Sequence, residues 1–103
     1  MIADISRHRK ELRALCRRFH VRRLEVFGSA ARGDDFNRAR SDIDFLVEFE
    51  PLQPGAYVDA FFDLKEELER LFGRTVDLVS DASIRNRYFR QSVERSKALL
   101  YAA

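Results

Sequence analysis

Apolar residues along this chain switch between two spacings, and the switches divide it into alternating helical and extended segments. Ile5, Leu12, Leu15, Cys16 and Phe19 recur at helical spacing among charged residues, which predicts an amphipathic helix over residues 3–19 with a narrow buried stripe. Leu24, Val26 and Phe27 form a β-favouring run ended by Gly28, so a first strand is expected over residues 22–27. Ser29 suits an N-cap and Gly33 a C′ position, leaving one helical turn across residues 30–32. Residues 34–41 are polar and read as a surface loop. Ile43, Phe45, Val47 and Phe49 then alternate with Asp42, Asp44, Leu46 and Glu48, the period of two of a second strand.

Pro51, Pro54 and Gly55 break the chain, after which Tyr57, Phe61, Leu64, Leu68 and Leu71 repeat every three or four residues until Gly73 stops them. Residues 75–79 predict a third short strand, and residues 83–95 a last helix carrying Ile84, Tyr88, Phe89 and Val93. Residues 99–101 either extend that helix or pair as an edge strand. The helix between the second and third strands is long enough for a crossover and also suits an antiparallel return, so strand order stays open. The fold class is α/β (α+β), with a small mixed β-sheet packed against helices.

A length of 103 residues implies one domain, 1–103, large enough for one core but not for a separate acceptor-binding domain. The chain is 46% hydrophobic and 35% charged, and no apolar run approaches membrane-spanning length. Basic residues throughout the N-terminal stretch argue against a signal peptide, and the expected address is the cytoplasm. The single cysteine, Cys16, sits in a helical pattern and reads as a small buried apolar residue. Net charge is +2, with arginines clustered over residues 7–23 and 85–95; such clusters are usually solvated faces and give nucleic-acid binding little support.

Chemistry enters with Gly28-Ser29 and Asp42-Ile43-Asp44. Side chains two apart on a strand share a face, so Asp42 and Asp44 stand side by side while Ile43 and Phe45 enter the core. Like charges that close ionise together best around a cation, and hard oxygen ligands select Mg²⁺ or Mn²⁺. Asp77, alternating with Val76 and Leu78, joins them if its strand is a neighbour. Three carboxylates can hold two ions about 3.5 to 4 Å apart, the arrangement that serves in-line nucleotidyl transfer. Asp42 and Asp44 would bridge the ions, while Asp77 would face the acceptor and take its hydroxyl proton. Gly28 permits close backbone approach, Ser29 offers a hydroxyl and an N–H at the start of a helical turn, and Arg32 adds a phosphate contact.

A Gly-Ser turn alone is usually only a turn, and each aspartate alone is usually a solvent-facing strand residue. Their conjunction in the order strand, turn, carboxylate strand, helix, carboxylate strand carries the functional reading. His8 and His20 lack metal-ligand spacing and suit surface or capping roles. The helical spacing of Tyr57, Phe61 and Phe62 favours core packing over base stacking.

Phe27-Gly28-Ser29, Asp42-Ile43-Asp44 and Asp77 together resemble the DNA polymerase β-like nucleotidyltransferase superfamily, and Ala30-Ala31-Arg32-Gly33 with Ser41 to Val47 resembles its minimal nucleotidyltransferase (MNT) branch. The resemblance covers nearly the whole chain. It implies that Gly28 and Ser29 bind triphosphate and that Asp42, Asp44 and Asp77 carry Mg²⁺ and catalysis. It further implies an antitoxin that transfers AMP from ATP to a tyrosine of a partner HEPN-domain toxin. The alternatives are a non-catalytic antitoxin that neutralises its partner by contact, and a transferase acting on a small molecule or an RNA end, for which a homodimer can supply extra pocket surface.

Overall fold

A computed structural model of the chain describes residues 1–34, 36–37 and 41–103. Among these, four strands form one sheet: β1 (Val21–Phe27), β2 (Ile43–Phe49), β3 (Val76–Ser80) and β4 (Ala98–Ala102), in the order β3-β2-β1-β4. β1 runs antiparallel to β2 and β4, whereas β2 and β3 are parallel, so the sheet is mixed as expected. Around it lie α1 (Ala3–Arg7), α2 (Arg9–Arg18), α3 (Ser29–Arg32), α4 (Pro54–Phe72) and α5 (Arg87–Ser96), with a 3₁₀ turn at Asp81–Ser83. Residues 98–102 resolve the open choice at the C-terminal end in favour of an edge strand.

α4 is the crossover that a parallel β2–β3 pair requires. Pro54 was expected to break the chain; instead it opens the helix, because the first helical position needs no N–H and favours proline's fixed φ. Gly73 closes it in the left-handed region, with its N–H donating to the Glu69 carbonyl at 2.8 Å. The single helix expected over residues 3–19 is broken at His8. Its Nδ1–H donates to the Asp4 carbonyl at 2.7 Å, the acceptor that the backbone N–H of a continuous helix would use, and the ring packs edge-on against Phe72. His8 thus has the capping role expected of it. α5 begins at Arg87, four residues later than expected, because Asn86 accepts the N–H groups of Tyr88 and Phe89 and fixes the start there.

One sheet face carries the main core: Leu24 and Val26 of β1, Ile43, Phe45 and Val47 of β2 and Val76 of β3 pack with Ile5, Leu12, Cys16, Leu64 and Leu68 from the helices. The other face holds a thinner layer of Phe27, Leu46 and Val93, edged by Val79 and Ile84. Leu46, on the same side of β2 as the solvent-facing residues of the alternation, is therefore buried, because α5 covers that part of the sheet. Two further expectations change. Phe62 is 60% exposed and Tyr88 67% exposed, so neither is a core residue. Within the predicted loop, Phe36 packs against the main core; residues 35 and 38–40 of that loop lie outside the described residues.

Phe45→Ala should destabilise the fold by about 3–5 kcal/mol, the toll of emptying a fully buried ring site, whereas Phe62→Ala should change stability by about 0.5 kcal/mol or less. Urea unfolding of the two variants, compared at constant slope, checks both values.

Candidate active site

β1 ends in a corner that only glycine tolerates. Gly28 has φ 72° and ψ −152°, a region closed to residues with a Cβ. A Cβ placed there would lie 2.6 Å from Oδ2 of Asp44, so the carboxylate fills the space a side chain would need. On its other flank, the Gly28 N–H donates to the Ser96 hydroxyl at 2.8 Å. Gly28 itself, rather than Ser29, stands at the N-cap of α3, because the chain is already turned by its positive φ; Ser29 is the first helical residue. Gly33 ends the turn with φ 83°, as its position predicts.

The sheet register assembles the acids. Asp44 pairs with Phe27 of β1 on one side and with Asp77 of β3 on the other. Register partners on neighbouring strands, about 4.8 Å apart, project to the same face. Asp42 lies just before β2, exposed like Asp77, while Asp44 is half-buried. The Asp44 carboxyl is pushed up from 3.8 to about 6, first by burial, then by the charge of Asp77, then by that of Asp42. Asp44 is thus near enough to both of the other predicted carboxylates to feel their charge.

No three Asp, Glu, His or Cys side chains among the described residues are drawn close enough to hold a metal ion as they stand. The donor set nevertheless fits a hard divalent cation: carboxylate oxygens only, repelling one another, with the central one resisting ionisation. A cation would offset that repulsion, and the backbone register already sets Asp44 beside Asp77.

Arg32 is exposed and ion-paired with Asp34, Nε to Oδ1 at 3.0 Å. Three residues that pattern reading missed support the site. Arg74 donates from Nη1 to the Ser41 carbonyl at 3.1 Å and lies over the Phe36 ring, tying the segment that leads into Asp42 to the start of β3. Ser96 holds Gly28, and Glu25 is a buried acid paired with Arg23 and Lys97. Alternation along β1 sets Glu25 on the Phe27 side, which was a usable signal; for Arg74 and Ser96 there was none. Cys16 is fully buried and its thiol is pushed up to about 12 by that burial, which keeps it inert.

Gly28→Ala should destabilise the protein by about 1–3 kcal/mol in urea unfolding, since it strains φ and collides with Asp44. Asp44 yields a second expectation, with a definite sign. Its folded-state value lies above the ordinary one, so its ionisation opposes folding increasingly from about pH 4 to about pH 6 and fully above that. Without metal, Asp44→Asn should therefore raise Tm at pH 8, by roughly 4–8 °C for about 1 kcal/mol after solvent screening of a partly exposed group, and leave it unchanged at pH 3.5. Melting curves at the two pH values decide it, and an equal effect at both contradicts the charge argument.

Residues 6–100 match the nucleotidyltransferase domain family. The protein adenylyltransferase MntA of Thermococcus cleftensis is 42% identical over 82 residues, which cover 80% of this chain and 75% of that protein. A minimal nucleotidyltransferase of known structure is similar at a TM-score of 0.74 and 36% identity, over 91% of this chain and 90% of that one. A chain in the solved complex of a tri-AMPylated Shewanella oneidensis HEPN toxin with an MNT antitoxin shares the fold at a TM-score of 0.64 and 20% identity, over 96% of this chain and 73% of its own length. With a glycine corner pressed on the middle one of three neighbouring aspartates, and with the family's domain spanning nearly all its residues, this chain belongs to the nucleotidyltransferase domain family, in the minimal nucleotidyltransferase branch.

Proposed function

We propose that this chain is a protein adenylyltransferase acting as an antitoxin, moving AMP from ATP to a tyrosine hydroxyl of a partner HEPN toxin. The observation that carries the reading is the β2–β3 register, which sets Asp44 beside Asp77 while the Gly28 backbone faces the Asp44 carboxylate. The name of the Thermococcus relative and the AMPylated toxin in the solved complex support the nucleotide and the kind of partner.

Two divalent ions, Mg²⁺ or Mn²⁺, held by Asp42, Asp44 and Asp77, would supply charge neutralisation of the triphosphate and a more nucleophilic acceptor oxygen. The Gly28 N–H is engaged by Ser96, and those of Ala31 and Arg32 donate to the Gly28 carbonyl, so the phosphate donors at this corner are the Ser29 hydroxyl and the N–H groups of Ser29 and Ala30. Arg32 reaches phosphate only by exchanging Asp34 for it. The acceptor oxygen forms a bond to the α-phosphorus as the bond from that phosphorus to the bridging oxygen breaks, and pyrophosphate leaves. Asp77 receives the hydroxyl proton. Its place suits that role, because it is exposed on the edge strand β3, where a side chain of another protein has access.

The test combines purified protein, MgCl₂, α-labelled ATP and a HEPN ribonuclease from the same genome. Label should appear on a tyrosine of the ribonuclease, and Asp44→Asn or Asp77→Asn should lower transfer by about a thousandfold or more. Absence of transfer, with Asp44→Asn neutralising the ribonuclease as well as the unaltered chain does, would replace this reading with neutralisation by contact alone.

A further inference from the structure

The antiparallel register of β1 on β4 sets Glu25 opposite Leu99 and Val26 opposite Ala98. Carried two residues further, it brings Gly28 opposite Ser96, the last residue of α5. At that point β4 has ended, and the hydroxyl of Ser96 accepts the Gly28 N–H at 2.8 Å. A side chain stands in for the missing backbone carbonyl of the ladder.

The next residue fixes the same end of α5 a second time. Lys97 Nζ lies 3.6 Å from Oε2 of Glu25 and 3.0 Å from Oε2 of Glu94, and Glu25 is only 4% exposed. The junction of α5 with β4 is therefore held to β1 on either side of the Val26–Ala98 pair. Gly28 is gripped between Ser96 and the Asp44 carboxylate. Its peptide plane sets the direction in which the chain leaves β1, and so the placement of Ser29 and the first turn of α3 relative to Asp44.

We infer that Ser96 is a positioning residue for nucleotide binding: its hydroxyl holds the Gly28 peptide so that the α3 donors and the Asp44 carboxylate keep one relative placement. The inference rests on the nucleotidyltransferase reading of the corner, but not on the identity of the acceptor. Ser96 touches no reacting atom in this role. It acts through Gly28.

The experiment measures amide hydrogen exchange at Gly28 and the Kd for ATP in the presence of Mg²⁺, in the unaltered chain and in the Ser96→Ala and Ser96→Thr variants. The Gly28 amide should be protected in the unaltered chain and in Ser96→Thr and exposed in Ser96→Ala. The alanine variant should bind ATP on the order of tenfold more weakly, about the worth of one hydrogen bond, with threonine restoring the affinity. Rapid exchange at Gly28 in the unaltered chain overturns the inference even if the alanine variant does not fold. So does unchanged ATP affinity in Ser96→Ala, or a loss in Ser96→Ala that Ser96→Thr fails to restore. Transfer to the partner is assayed in parallel, and its absence alongside normal ATP binding and a protected Gly28 counts against the proposed function alone.

Discussion

A carboxylate pressed against backbone that carries no side chain is the constraint on which this structure turns. Asp44 comes so close to Gly28 that a single methyl group there would overlap Oδ2. The same residue carries the positive φ that ends β1 and starts α3, so one glycine satisfies two demands: room for the acid and a corner for the chain. Asp44 is also half-buried between two like charges, which leaves its ionised form poorly solvated. An arrangement of that kind persists only where packing elsewhere holds it.

The holding comes from the sheet. Phe27 and Asp44 meet because β1 and β2 are antiparallel, while Asp44 and Asp77 meet because β2 and β3 are parallel, so both pairing types are needed. α4 makes the parallel pair reachable and buries Leu64 and Leu68 beneath it. The heavy core, with Phe45, Leu24 and Val47 at its centre, lies on the face opposite the acids. The acid face carries the thinner Phe27, Leu46 and Val93 layer, edged by Val79 and Ile84, under α5. Stability and chemistry are divided between the two sides of one sheet, which is why polar changes at Asp42 or Asp77, both exposed, need not disturb the core.

Much of this was legible because local periodicity and side-chain chemistry agreed. The alternation of Ile43, Phe45 and Val47 with Asp42 and Asp44 fixed which side of β2 faces the core, and Asp77 between Val76 and Leu78 repeated the pattern in β3. What escaped depends on tertiary neighbours. Leu46 follows the acids in the alternation, yet α5 roofs it over; Phe62 and Tyr88 keep helical spacing, yet among the described residues both stay exposed. The break at His8 arises from a ring that reaches both Asp4 and Phe72, the second of these far away in sequence. Ser96 gave no signal because its importance lies in a register, and a register appears only after strands pair.

The electrostatics of the site and the stability of the fold are then one problem. Burial and two neighbouring charges oppose ionisation of Asp44, so above about pH 6 the metal-free native state carries a strain that the unfolded chain, with its carboxylates dispersed in water, does not. A divalent cation that binds the folded acids in preference to dispersed ones would relieve that strain and add stability with the logarithm of its concentration above its Kd. Protons compete for the same oxygens, so acid would weaken the hold of any such cation on Asp44. A site strained in this sense does not need to be rigid by itself. Its geometry is maintained by Gly28 and Ser96 on one side and by the strand register on the other, and the repulsion they contain would favour a positive charge beside Asp44.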